Sequence, residues 1–306
     1  MISEFRHHFH RMGSAFELIV VAASKEEADV FFEAGVNEIT RLENLLTEFK
    51  EGSETWRINH ASETLITGLD PEVYQLIDRC LRLSKLTDGC FDITIGPLKK
   101  LYSFHNRQGH LPSPTVVAEV LPFVGYQHLQ LLPDHSLQKA FPEMTISFAA
   151  VGKGYAADRV RKIWMQMGCR GGVINASGDL CTLGTRSDGS EWMAGIPHPD
   201  KQRMLLKVPM PSIAVATSGN YEQYFQVSGK KYGHTLHPKT GLPVTGLQSV
   251  SIFSPSAELS DALATAITVM DIRTSLRFIN ELPDTWCLLL DEHEQLYSNL
   301  PVPEYC

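Results

Sequence analysis

Ile146-Ser147-Phe148-Ala149-Ala150-Val151-Gly152-Lys153-Gly154-Tyr155 is the stretch on which the reading of this chain turns. An extended apolar segment runs into small residues and glycines, then into a helical pattern from Gly154 to Met167 that opens with Ala156, Ala157 and Asp158. Glycines let the backbone approach a ligand closely, and a helix start offers free N–H groups to an anion. Lys153 adds a positive charge beside them. The Walker phosphate loop is excluded, because Gly152-Lys153 is followed by Gly154 rather than Ser or Thr. The alternative is a tight strand-to-helix turn with a surface lysine.

Outward from this turn, strands and helices mix without a regular βαβ rhythm. Met12 to Ala23 reads as a strand, and Lys25 to Lys50 as an amphipathic helix with Phe32, Val36, Ile39, Leu42, Leu45 and Phe49 on one side. Asp70-Pro71 is a helix start, an N-cap acid followed by proline in the first turn. Asn106 to Pro114 reads as a loop, and Leu129 to Phe148 as short strands around a turn at Pro133-Asp134-His135. Further strands are expected at Gly172 to Asn175, Trp192 to Ile196, Met204 to Val208, Ile213 to Thr217, Gln248 to Ser254 and Thr285 to Leu290. Helices are expected at Ser256 to Met270 and Asp271 to Asn280. This succession predicts an α+β fold rather than a doubly wound parallel sheet.

Composition narrows the classes. With 306 residues, 43% hydrophobic and 20% charged, the chain is long enough for one large domain or two packed lobes, and is neither disordered nor fibrous. A net charge of -8 argues against non-specific nucleic-acid binding, so a phosphate ligand calls for a local site or a divalent cation. No run of about 20 apolar residues predicts a membrane span. Met1 to Arg6 lacks the pattern of a secretion signal, and Cys80, Cys90, Cys169, Cys181, Cys287 and Cys306 are scattered. Free thiols and a cytoplasmic location are the expectation.

Three further features carry chemistry. Asp261 and Thr265 lie four apart on the expected late helix, where a carboxylate and a hydroxyl share a face and suit a hard cation such as Mg²⁺; Glu258 is one turn earlier. The alternative is a solvent-facing Asp and a Thr packed among alanines. Val227 to Tyr232 reads as a hairpin turning at Ser228-Gly229, followed by His234 and His237. Two histidines three apart on a strand would face opposite ways, so one histidine as general base fits better than a metal pair, beside a plain hydrogen-bonding role. Gly89 to Leu98 and Asn175 to Asp179 read as conformationally special loops. His7, His8 and His10 read as part of a solvated tail.

Taken in order, these segments resemble the FAD:protein FMN transferase family, the ApbE-like flavin transferases. The resemblance is carried by Met12-Gly13, by Ser53-Glu54 with Arg57-Ile58-Asn59, and by Phe91-Asp92 through Gly96-Pro97-Leu98. It continues through Gly152-Lys153-Gly154-Tyr155-Ala156 with Asp158-Arg159, Asn175 with Gly178-Asp179, and Ala216-Thr217-Ser218-Gly219 with Tyr221-Glu222. His234 with Pro238-Lys239-Thr240-Gly241, and Asp261 to Ala266, complete it.

The resemblance implies an α+β, ApbE-like mixed fold with two lobes around a central FAD-binding cleft, residues 1–11 forming a tail and 12–306 a single domain. It implies Mg²⁺-dependent transfer of FMN from FAD to a Thr or Ser hydroxyl of a target flavoprotein, with release of AMP. Asp261, Thr265 and the Ala150 carbonyl resemble the metal ligands, and His234 the general base. Met12, Glu54, Cys90, Phe91, Asp92, Ser147, Lys153, Asn175, Thr217 and Ser218 resemble contacts to FAD. Three departures stand out: Ser147, Asn220 and His237 occupy positions where the family usually has Asp. Two other readings share these residues, an FAD pyrophosphatase yielding FMN and AMP, and a non-catalytic FAD-binding protein.

Overall fold

The computed structural model describes residues 2–103, 111–200, 204–219, 224–227 and 230–300. The chain opens with strands β1 (Ser3–Arg11) and β2 (Ser14–Ala22), followed by helices α1 (Lys25–Leu46) and α2 (Glu54–His60). Strand β3 (Leu65–Ile66), helices α3 (Pro71–Leu86), α4 (Gly96–Lys99) and α5 (Pro114–Val120), and strands β4 (Leu129–Leu132) and β5 (Ser136–Lys139) come next. Helix α6 (Gly152–Gln166) leads into β6 (Gly171–Ala176), β7 (Asp179–Gly184), β8 (Met193–Pro197), β9 (Met204–Pro209) and β10 (Ala214–Gly219). After β11 (Tyr224–Val227), β12 (Lys230–Gly233) and β13 (Leu247–Ser254) come α7 (Ala257–Val269), α8 (Ile272–Asn280), β14 (Trp286–Asp291) and β15 (Leu296–Ser298).

Eight strands form one sheet in the order β1-β2-β6-β7-β10-β13-β14-β15, and every neighbouring pair is antiparallel. The α+β expectation therefore holds. Alternation along β2 sends Phe16, Leu18 and Val20 to the face covered by α1 and α6, and Ile19 and Val21 to the other. There the β8–β9 hairpin closes the second face with Trp192, Ile196, Leu206 and Val208. Ser24 caps α1 by accepting the Glu27 N–H, and the buried Trp164 of α6 donates its indole N–H to the Phe31 carbonyl at 2.9 Å. Farther along the sheet, Leu263 and Ile267 of α7 and Ile279 of α8 pack on Val250, Ile252 and Leu289. Burial on both faces explains why β14 reads as an apolar run, Trp286 to Leu290.

Beside this body lie α2, α3 and the small β3-β5-β4 sheet. A fully buried lysine ties them together. The Lys139 ammonium donates to the carbonyls of Ile58, Pro142 and Met144 at 3.2, 3.0 and 3.3 Å, and to that of Ala61 at 3.5 Å. Next to it, the Asn59 amide accepts from Ile146 N and donates to Ile146 O at 2.7 and 2.8 Å. Together they fix the strand-like segment that leads into Ser147 and the turn before α6. A further apolar cluster joins Ile95, Leu98, Tyr102 and Val117 to Phe225 and Leu236.

Two expectations are revised. The N-terminal residues are no solvated tail: Ser3–Arg11 pairs along its whole length with β2, and His7 stacks on Phe9 and Phe32. The inward face of this edge strand carries His7 between Phe5 and Phe9, and a histidine there breaks the apolar alternation that marks a strand. Of the expected loop at Asn106 to Pro114, residues 104–110 lie outside the described residues, and Pro114 already opens α5 behind the Ser113 cap. The Ser228-Gly229 turn also lies outside them, while β11 and β12 pair as the hairpin expected there.

Candidate active site

At one end of the large sheet, two tight turns lie side by side. Met12 and Gly13 join β1 to β2 with φ of 51° and 68°, and Ser177 and Gly178 join β6 to β7 with φ of 59° and 106°. Paired positive φ values mark two-residue turns whose twist matches that of the strands. The C-terminal end of β10 reaches the same edge, because Thr217 N donates to Asp179 Oδ1 at 3.0 Å.

A cavity of about 630 Å³ opens there, within the range of small-molecule sites. Met12, Cys90, Phe91, Asp92, Ala150 and Lys153 line it, together with Thr217, Ser218, His234, Asp261 and Thr265. Residues 253 positions apart in sequence thus meet in one pocket, which the expected cleft required.

The geometry around Asp261 comes from the packing of α6 on α7. Ser256 caps α7 by accepting the Leu259 N–H, and its hydroxyl donates to Asp158 of α6 at 2.8 Å. Gly154 permits the approach: a Cβ there would stand 2.1 Å from the Ala257 carbonyl oxygen and 2.8 Å from Asp261 Cβ. Gly154 N then donates to Asp261 Oδ2 at 3.0 Å. Lys153 Nζ lies 2.9 Å from Asp179 and 3.7 Å from Asp261. Burial pushes the Asp261 carboxyl above its ordinary range, Lys153 opposing and Asp179 adding to the shift. Burial works against the Lys153 ammonium too, yet Asp261 and Asp179 hold it above its ordinary value.

Two carboxylates therefore share one ammonium in a water-poor corner, which leaves an excess negative charge. Asp261, Thr265 and Ala150, which carry a carboxylate, a hydroxyl and a backbone carbonyl, line the same cavity. Such an all-oxygen set suits a hard divalent cation such as Mg²⁺.

Other expected residues serve differently. Asp92 spends one oxygen on Thr94 N and Oγ1, at 2.8 and 2.7 Å, and the other on Tyr126 N at 2.8 Å, so it shapes the cavity loop from within. The Thr217 hydroxyl is shared with Ser251 at 2.8 Å. Cys90 is half-buried, and burial raises its thiol pKa. Ser147 is buried behind the wall and donates to Glu48 Oε1 at 2.9 Å. His234 faces the cavity; His237 does not, and its Nδ1 accepts the Lys239 N–H at 3.1 Å in a turn.

Glu54 and Asn175 stand outside the cavity wall. Glu54 is held by Arg57 at 2.9 Å and receives the Asp70 N–H, while Asn175 accepts from Gly178 N at 2.9 Å to shape the β6–β7 turn. Asn220, Tyr221 and Glu222 lie outside the described residues. The residue reading missed Glu43, Glu48, Phe49 and Lys99 as cavity lining, and met Asp179 only as part of a motif. Glu43 lies in the last turn of α1, and Glu48 and Phe49 follow its C-terminal end, where a helix stop is the only signal. A lysine directly after the buried Pro97-Leu98 was the available clue to Lys99.

The ApbE family profile matches residues 12–289. The FAD:protein FMN transferase of Salmonella typhimurium is 30% identical over 234 residues, covering 74% of this chain and 67% of that protein. The enzyme of the same name from Klebsiella pneumoniae is 27% identical over 278 residues, covering 88% and 79%. Among solved structures, the ApbE protein of Thermotoga maritima superposes with a TM-score of 0.88 at 28% identity, covering 96% of each chain. The apo flavinyl transferase ApbE of Pseudomonas stutzeri gives 0.84 at 26% identity, covering 97% of this chain and 94% of that one.

Proposed function

This chain belongs to the ApbE family, and on that footing we propose that it is a Mg²⁺-dependent FAD:protein FMN transferase. FAD is its donor substrate, and a Thr or Ser of a target flavoprotein its acceptor. The described chain acts as a single catalytic domain that includes β1, since β1 is part of the large sheet and the cavity draws its wall from Met12 through Thr265. Among the described residues, no helix is long and apolar enough to cross a membrane.

One observation carries the reading: Ala150, Lys153, His234, Asp261 and Thr265 line a single cavity, although they come from three stretches far apart in sequence. The acceptor oxygen attacks the phosphorus of the FMN half, the bond to the AMP phosphate breaks, and AMP leaves. His234 takes the proton of the attacking hydroxyl. Lys153 is the cation that meets the pyrophosphate. Asp261, Thr265 and the Ala150 carbonyl would hold Mg²⁺, which supplies charge neutralisation at the pyrophosphate. The Met12 turn and the Cys90-Phe91-Asp92 loop line the remaining wall against the rings of FAD.

The test is incubation with FAD and Mg²⁺, with and without a candidate acceptor, following AMP release and flavin fluorescence on the denatured acceptor. AMP together with labelled acceptor is the expected result. AMP without label would mean that water takes the place of the hydroxyl and the protein is an FAD pyrophosphatase; bound FAD without AMP would make it a binding protein. His234→Ala should keep FAD binding and slow transfer by about a hundredfold. Unchanged transfer in that variant would remove the base assignment.

A further inference from the structure

Nearly every charged group in the cavity wall is engaged by the protein itself. Glu43 receives the Met12 backbone N–H and lies 3.7 Å from Arg11. Asp92 is filled by Thr94 and Tyr126, and Asp179 and Asp261 share Lys153. Lys99 is different. It ends α4, its backbone N–H is held by the Ile95 carbonyl, and its ammonium makes no hydrogen bond or ion pair among the described residues. Glu48 is bonded to Ser147, whose N–H is donated to the Ile93 carbonyl at 2.8 Å just ahead of α4, so Glu48 and the segment that carries Lys99 share one end of the cavity, whereas Lys153 belongs to the Asp261 end. Burial also pushes the Lys99 ammonium below its ordinary pKa. Withdrawing an unpaired ammonium from water is costly, so a fold that keeps one in a cavity wall leaves a strong donor for whatever enters.

Glu48 offers the complementary group. Ser147 occupies its Oε1 at 2.9 Å, and Oε2 has no donor among the described residues. A donor and an acceptor in one stretch of cavity wall can serve the edge of a heteroaromatic ring that carries an acceptor next to an N–H. Both ring systems of FAD have such an edge, the pyrimidine part of the isoalloxazine and the amino edge of adenine.

We propose that Lys99 is a specificity-determining residue for the dinucleotide, donating to a ring acceptor at the end of the cavity opposite Lys153 while Glu48 accepts from the neighbouring ring N–H. This rests on FAD being the substrate, as set out above.

The experiment compares wild type, Lys99→Met and Lys99→Arg. It measures ligand-free Tm, FAD affinity, the KM and kcat of AMP release, and inhibition by FMN and by AMP. Lys99→Met should weaken FAD binding and raise KM about tenfold or more, with a much smaller change in kcat. Its ligand-free Tm should stay level or rise, because an unpaired buried charge has been removed. Lys99→Arg should recover most of the affinity. Inhibition by one half of FAD, FMN or AMP, should weaken and that by the other should not; the affected half identifies the ring.

FAD affinity unchanged in Lys99→Met, beside an active wild type, overturns the inference. So does equal weakening by both halves, which would put Lys99 on the pyrophosphate, and so does a lower Tm with normal affinity, which would make it a strut. A wild type that neither binds FAD nor releases AMP removes the transferase reading, and this inference with it.

Discussion

Two lysines, one buried and one half-buried, serve opposite ends of the same segment, and they are treated in opposite ways. Lys139 has no exposed surface, and its ammonium is surrounded by the carbonyls of Ile58, Ala61, Pro142 and Met144. Every partner there is a neutral dipole supplied by the backbone, and burial lowers its pKa. Lys153, fourteen residues on, faces two carboxylates that exceed it in charge, and its pKa is held up by them. The first lysine is a satisfied strut. The second belongs to a corner whose charge is completed only by something that enters. Unspent electrostatic capacity, rather than burial or a shifted pKa, separates the site from the scaffold.

That contrast can be broken in several ways. Asp261→Asn keeps an acceptor for Gly154 N but removes the charge, and AMP release from FAD should fall about a hundredfold or more with little loss of fold, read by steady-state kinetics beside a melting curve. Lys139→Met should do the reverse, costing about 3 kcal/mol of stability by chemical denaturation while the folded fraction keeps its kcat. If Lys139→Met abolished turnover in folded protein, the division into strut and site would be wrong.

Asp179→Asn is the subtler probe. Lys153 loses its nearer partner, turns to Asp261 and competes with the cation, so the Mg²⁺ concentration for half-maximal rate should rise about tenfold.

The smallest effect is one of pH. Burial raises the Asp261 carboxyl, so in metal-free protein its protonated form contributes stability, and that contribution is lost as pH rises from the ordinary carboxylate range through its folded pKa. A cation replaces the proton. The rise in Tm caused by Mg²⁺ with FAD should therefore be larger at pH 8 than at pH 5, and Asp261→Asn should flatten the difference.

Much of this architecture was legible from residue order. The amphipathic spacing of α1, the Asp70-Pro71 cap and the glycine-flanked Lys153 are local signals, and each found its element. The antiparallel pairing of strands far apart in sequence was not visible, because strand neighbours carry no sequence mark of one another. The same limit applied to the site. Asp261 and Thr265 announce themselves by helical spacing, but Asp179 acquires meaning only when the β6–β7 turn sets it against Lys153. Glu54 was named from its motif position, and the structure adds what residue order could not show, that its carboxylate is held by Arg57 and the Asp70 N–H. Lys99 and Glu48 escaped because their role depends on which groups around them are already paired.

The most direct measurement is calorimetric titration of Mg²⁺ into the protein with a non-cleavable FAD analogue bound, run in parallel on Asp261→Asn and Lys139→Met. The account predicts one Mg²⁺ per wild-type chain, no detectable binding to Asp261→Asn, and unchanged binding to folded Lys139→Met. Equal Mg²⁺ binding by wild type and Asp261→Asn would contradict it.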